Sequence, residues 1–226
     1  MFYYDVHGLW TIKVKIKLDK KIILIDLDGT FVNVNTFHRW MKFLFKEALK
    51  KFQLVSVIKI LTIIALRYTK RIDHAKMKYR ILEISEEIIT QKQIIQFVHS
   101  LTPYINKKLS NIVKDNEHTT ILATAAPLFY TQTIKEIYHF DFVVATDDIG
   151  HSQWQENIRE IKAQNIKNLF TKNDFDTKDA VLYTDHHDDM PLMHIVSYTY
   201  LINASKKTKQ LVANTDINVV IIDEKS

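Results

Sequence analysis

Residues 22–30 read Ile22-Ile23-Leu24-Ile25-Asp26-Leu27-Asp28-Gly29-Thr30. Four consecutive apolar side chains, closed by turn-forming residues, predict a short strand buried on both faces, the kind found inside a parallel sheet. Two carboxylates come next, with one residue between them. Where a chain leaves a strand, that spacing puts both side chains on one side, so one could attack an electrophile while the other moves a proton. Gly29 lets the backbone turn sharply, and Thr30 can cap the next element. An Asp-x-Asp after a strand is often only a solvated turn, so its weight depends on the rest of the chain.

Upstream, Ile12, Val14, Ile16 and Leu18 alternate with Lys13, Lys15 and Lys17, which predicts a half-buried strand at a sheet edge. Downstream, from Thr36 to about Lys114, the texture changes. Gly is absent, Pro occurs once at Pro103, and apolar residues recur at helical spacing: Phe37, Trp40, Met41, Leu44, Phe45, Ala48 and Leu49, then Ile81, Ile84, Ile88 and Ile89. This predicts a bundle of about four helices. Strand texture returns at Thr120–Ala123, Phe142–Ala145, Ala180–Tyr183 and Tyr198–Ile202, with helical stretches at Leu128–His139 and about Glu160–Phe170. Strands alternating with helices predict an α/β fold with a parallel sheet covered on both faces. Residues 1–35 and 115–226 are expected to form the core domain, and residues 36–114 a helical insertion after its first strand.

A chain of 226 residues suits one core domain carrying an insertion. With 46% hydrophobic and 25% charged residues, wholesale disorder is excluded, and 3 Gly and 3 Pro exclude a collagen-like chain. Zero Cys excludes a disulfide scaffold, a zinc–thiolate site, an iron–sulfur cluster and a thiol nucleophile. Met1–Trp10 lacks the basic-then-apolar pattern of a secretory signal. No stretch reaches the ~20 apolar residues that cross a bilayer. The expectation is a cytoplasmic protein, peripheral at the inner membrane face if it meets lipid. The net charge of +5 is uneven. Arg39–Arg80 holds twelve Lys/Arg against Glu47 and Asp73, whereas Ile121–Ser226 holds ten basic and fifteen acidic residues. Such asymmetry reflects either different partners for the two parts or a general bias toward Lys, Ile and Asn.

Three strands end in polar groups: Asp26 and Asp28 after the first, Thr124 after Ile121-Leu122-Ala123, and Asp185, Asp188 and Asp189 after Ala180–Tyr183. Ligands of open parallel sheets bind at the carboxyl ends of strands, so these residues should converge. Converging carboxylates cannot all ionise without a cation. A hard, oxygen-liganded ion such as Mg2+ answers that and leaves room for a phosphate.

These residues resemble the motifs of the haloacid dehalogenase (HAD) superfamily of phosphohydrolases. Asp26-Leu27-Asp28-Gly29-Thr30 is similar to its first motif and Thr124 to its second. Lys162 stands where the third-motif lysine is expected, and Asp185-His186-His187-Asp188-Asp189 is similar to the fourth. The helical insertion resembles the phosphoserine-phosphatase-like branch. The resemblance implies a three-layer Rossmann-like core, a parallel sheet and a helical cap. It implies Asp26 as nucleophile, Asp28 as general acid and base, and Thr124 and Lys162 holding the phosphoryl oxygens. It also implies Mg2+ held by Asp26, the Asp28 carbonyl and Asp185, with Asp189 orienting Lys162 or a metal-held water. Three positions depart from the pattern. His186 stands where a small residue is usual and is followed by His187; the two are read as exposed turn histidines or a pH-sensitive contact. Ala126 removes one hydroxyl. Asn35 replaces the Glu that meets the substrate ammonium in phosphoserine phosphatases.

For the substrate, Phe52–Leu66 is nearly all apolar and sits in the basic segment. It reads either as the core of the bundle or as a helix lying on an anionic membrane. Its placement resembles the phosphatidylglycerophosphatase C type, which implies a membrane-held phosphate monoester. The alternatives are a cytosolic small-metabolite phosphatase and a catalytically silent binding module. Nucleic acid is disfavoured, because no regular aromatic–basic interleaving is present. Trp40 and the helically spaced phenylalanines read as core. His38, His74, His99 and His118 lack metal-ligand spacing.

Overall fold

The computed structural model describes residues 21–223 apart from 116, 149 and 151–153. The stretch Thr11–Leu18 lies outside them. Ile22–Ile25 forms β1. Its pleat sends Ile23 and Ile25 into one hydrophobic cluster and Ile22 and Leu24 into another. Both faces are therefore dry, which is why the run shows no polar alternation.

The other strands are β2 (Thr119–Pro127), β3 (Phe142–Thr146), β4 (Ala180–Thr184), β5 (Tyr198–Ile202) and β6 (Val219–Ile222). They form one sheet in the order β3-β2-β1-β4-β5-β6, with every neighbouring pair parallel. The direction of winding reverses between β1 and β4, which makes a crevice at their carboxyl ends. Ile25 is in register with Leu122 on one side and Tyr183 on the other. Asp26 therefore leaves the sheet between Thr124 and Asp185. β6 is a strand that sequence periodicity did not anticipate. β2 also runs past the expected Ala123, through a register shift against β3 between Ala123 and Pro127.

Helices cover both faces. α6 (Leu128–Tyr138) packs Tyr130 and Ile134 with Ile23 and Ile25. α7 (Arg159–Asn173) packs Ala163, Ile166 and Phe170 with Ile22 and Leu24, joined there by the short α8 (Met190–Met193) and by α9 (Lys206–Ala213). Helix, sheet and helix make three layers.

Between β1 and β2 lie α1 (Thr36–Lys50), α2 (Leu54–Tyr68), α3 (His74–Ile88), α4 (Gln91–Ser100) and α5 (Lys107–Lys114). The periodicity suggested about four. The fifth exists because the turn Thr102–Tyr104 breaks the path, and the Asn106 side chain then accepts the N–H groups of Lys108 and Leu109 to start a new helix. Trp40 is fully buried and donates its indole N–H to Ser85 Oγ at 2.9 Å. Its ring meets Phe97 of α4 and Phe129 and Tyr130 of α6 at 4.9–5.5 Å between centroids. The insertion and the sheet layer thus share one continuous core. On α2, Val57, Ile60 and Ile63 are buried but Leu54, Ile58, Leu61 and Ile64 are exposed, so only one side of that apolar helix belongs to the core.

Candidate active site

Asp26, Asp28, Thr124, Lys162 and Asp185, drawn from four separate stretches of sequence, line one cavity of about 280 Å³, together with Asn35, Ala125, Ile158, His186, Asp188 and Asp189. Larger hollows along α2 and α3 hold no such convergence of carboxylates.

The backbone around Asp26 is tightly tied. Its N–H donates to the Tyr183 carbonyl at 2.9 Å, and its carbonyl accepts from Phe31 N–H at 3.1 Å. Gly29 has φ +81°, and a Cβ there would lie 2.2 Å from Asp185 Oδ2. Only glycine lets the turn after β1 approach the carboxylate at the end of β4 this closely.

Lys162 is the centre of charge. It projects from the first turn of α7, is almost fully buried, and donates to Asp26 Oδ1 and to Asp189 Oδ1, each at 2.8 Å. Burial works against its charge, but Asp189 and Asp26 outweigh it and hold the ammonium above its ordinary value. Asp189 accepts from Thr184 Oγ1 at 2.6 Å through its other oxygen. Asp189 thus contacts Lys162 through one oxygen and Thr184 through the other.

Asp28 is turned toward the insertion. Its Oδ1 accepts from Thr36 N–H at 2.7 Å, at the start of α1, and Thr36 Oγ1 lies 3.0 Å from the Tyr130 hydroxyl. Burial raises the Asp28 pKa, with Thr36 pulling the other way. Burial likewise pushes Asp26 up to about 8 despite Lys162, and Asp185 up to about 6. These shifts describe carboxylates withdrawn from water, for which a bound cation would offset the cost of ionising. Asp26, Asp28 and Asp185 offer hard carboxylate and carbonyl oxygens, a donor set that suits a divalent cation. No three of Asp26, Asp28, Asp185 and Asp189 bring side-chain oxygens within 4.8 Å of one another, so these side chains alone form no compact cage.

The described His, Asp and Glu residues that do gather that closely are His186, His187 and Asp188, on the rim. Asp188 is already paired with Arg159 at 2.8 Å. His186 lines the cavity, whereas His187 packs against α9, with Nδ1 3.2 Å from Thr208 Oγ1.

Thr124 is buried, and its Oγ1 accepts from Ala126 N–H at 3.0 Å, an interaction that shapes the end of β2. Sequence reading missed the residues that hold it. Asn157 donates from Nδ2 to the carbonyls of Thr124 (2.8 Å) and Val144 (3.1 Å), and accepts from Asn165 of α7 at 2.9 Å. It thus ties β2, β3 and the Lys162 helix together. Lys78 of α3 pairs with Glu156 and donates to the Ala125 carbonyl at 3.0 Å. Neither residue has a periodic signal. Asn35, the departure from the phosphoserine pattern, accepts His38 N–H at 2.8 Å and so caps α1.

Residues 23–194 match the family model described as haloacid dehalogenase-like hydrolase. No curated protein matches the sequence. Among solved structures, a protein of unknown function from Bordetella pertussis Tohama I superposes with a TM-score of 0.68 at 15% identity, covering 89% of this chain and 99% of its own. A phosphoserine phosphatase in apo form gives 0.58 at 12% identity over 92% and 96%. A phospho-aspartyl intermediate analogue of phosphoserine phosphatase gives 0.54 at 14% over 92% and 95%. At these identities the likeness is one of fold.

Proposed function

The chain belongs to the haloacid dehalogenase-like hydrolases, and from that premise we propose that it hydrolyses a phosphate monoester, with Mg2+ as cofactor, through a phosphorylated Asp26. Lys162 carries this reading: a buried ammonium held between Asp26 and Asp189, in a cavity that Thr124 also lines. In this reading residues 36–114 form a cap over a core of residues 1–35 and 115–226.

A carboxylate oxygen of Asp26 attacks phosphorus, and the bond to the ester oxygen breaks. Asp28, whose burial favours its protonated form, gives its proton to the departing oxygen. It then takes a proton from water, which attacks phosphorus and displaces Asp26 to release inorganic phosphate. Lys162 and Thr124 hold the phosphoryl oxygens, and Lys162 offsets the negative charge that builds in each transition state. Asp189 and Thr184 keep Lys162 in place. Bound Mg2+, held by Asp26, the Asp28 carbonyl and Asp185, would neutralise phosphoryl charge and the carboxylates' mutual repulsion.

Asn35 offers no charge to a substrate ammonium, and its carbonyl oxygen already caps α1, which disfavours phosphoserine. The exposed side of α2 favours a membrane-held ester, such as phosphatidylglycerophosphate, over a cytosolic small metabolite, with the protein peripheral at the cytoplasmic face. Among the described residues no helix is long and apolar enough to cross a membrane. A silent binding module is disfavoured because the nucleophile, acid, lysine and hydroxyl all line the same cavity. The test is Mg2+-dependent phosphate release from phosphatidylglycerophosphate in mixed micelles beside phosphoserine and glycerol 3-phosphate. Preference for the lipid supports the reading. Preference for a soluble ester transfers the enzyme to cytosolic metabolites, and no release from any ester with bound phosphate revives the silent module.

A further inference from the structure

We propose that the outward face of α2 is a docking surface for an anionic lipid bilayer; this deepens the membrane-held reading of the substrate by naming what the cap rests on. Leu54, Val55, Ile58, Leu61 and Ile64 are 42–69% exposed on one side of α2, and Phe52 and Tyr68 beside its ends are 86% and 89% exposed. A contiguous strip of large apolar side chains marks a surface that something covers.

Charge decides what covers it. α2 carries Lys59 and Arg67 and no acid. Lys42, Lys46 and Lys50 on α1, and Lys70 and Arg71 just past α2, are exposed. The acids nearby, Glu83 and Glu87, lie on the α3 side, where Glu87 pairs with Lys59 at 3.3 Å. An apolar strip flanked by cations fits acyl chains beneath phosphate headgroups. A second copy placed symmetrically on the same face would bring like charges together. At 15 residues, α2 is about 22 Å long, a length that lies in the interface rather than crossing it.

The strip also leads toward the chemistry. Met41, Phe45, Leu61 and Ile64 line a groove between α1 and α2 of about 500 Å³ with His38 and Lys42. His38 donates its N–H to Asn35, which lines the carboxylate cavity. The groove beside the strip and the carboxylate cavity are therefore neighbours, joined through the His38–Asn35 bond at the start of α1.

The experiment is co-sedimentation of the full chain with vesicles of phosphatidylcholine alone or mixed with phosphatidylglycerol. We expect binding to the mixed vesicles only, weakened about fivefold or more when salt rises from about 0.1 to about 0.5 M. Val55→Glu with Ile58→Glu should lower that partition about tenfold or more, while leaving hydrolysis of p-nitrophenyl phosphate in vesicle-free buffer unchanged. Equal binding to both vesicle types, binding to neither, or an unaffected double variant would overturn the proposal. So would a dimer in sedimentation velocity that the double variant dissolves. Vesicle binding without turnover of any ester would sink the phosphatase reading and leave the docking surface standing.

Discussion

Replacing Lys162 by Met tests the electrostatics of the site through stability, without any substrate. The ammonium is almost fully buried and serves two carboxylates, Asp26 and Asp189, at 2.8 Å each. Methionine fills similar volume but leaves both without their cation. Removing one partner of a buried pair costs about 3–5 kcal/mol when the remaining charge must stay ionised. The carboxylates can escape that cost by taking protons. Asp26 is already raised to about 8 by burial even with Lys162 present, and the substitution raises it further. A carboxyl whose folded pKa lies above its unfolded value stabilises the fold at low pH and loses that contribution as pH rises through the folded value. The Lys162→Met penalty should therefore be small near pH 5 and approach its full size above pH 8. At about 2–4 °C per kcal/mol for a chain of this size, that is a deficit of roughly 10 °C in Tm at high pH. Thermal unfolding of both proteins in chelator, from pH 5 to pH 9, measures it. A deficit that is constant with pH, or larger at pH 5, would refute the argument that Lys162 neutralises buried carboxylates.

Gly29→Ala sets a Cβ against Asp185 at a φ that favours glycine, so Mg2+ affinity measured by calorimetry should fall about tenfold or more; unchanged affinity would remove Asp185 from the proposed metal set. Asn157→Ala deprives the Thr124 and Val144 carbonyls and the Asn165 amide of a partner. It should cost about 2–4 kcal/mol in denaturant unfolding and lower kcat as Thr124 and Lys162 lose their common tie. For Glu156, burial acts upward, but His74 and Lys78 outweigh it and hold the carboxyl at about 2, below its usual 4.5. Its stabilising contribution is therefore present above about pH 4.5 and lost as pH falls toward 2. Glu156→Gln should be less stable than wild type at pH 7, with the gap closing in acid; a gap that widens in acid would contradict that pairing.

Much of the fold was legible because its signals are local. A short all-apolar run such as Ile22–Ile25, closed by turn-forming residues, fits a strand dry on both faces, and the acidic turn after it gained weight from the polar ends of two further strands. The same reasoning reached Thr124 and Asp185, since each comes directly after such a run. What stayed hidden depends on contacts between distant segments. Asn157 and Lys78 look like ordinary polar residues until β2, β3 and α3 close around them. β6 is an apolar run as long as β1 but carries no polar motif at its end to draw attention to it. Both sides of α2 carry large apolar residues, so its sequence does not mark which side the bundle buries. The bond from Thr184 Oγ1 to the second oxygen of Asp189 is likewise a side-chain contact that no periodicity displays.

Phosphorylation of Asp26 is the step on which the proposed chemistry turns. The most direct measurement is to mix the protein with Mg2+ and p-nitrophenyl phosphate carrying a radiolabelled phosphoryl group, quench in acid, and map the label by peptide. Label is expected on the peptide holding Asp26, released by hydroxylamine, dependent on Mg2+ and absent in Asp26→Asn. Turnover with no labelled protein, or label that persists in Asp26→Asn, would contradict it.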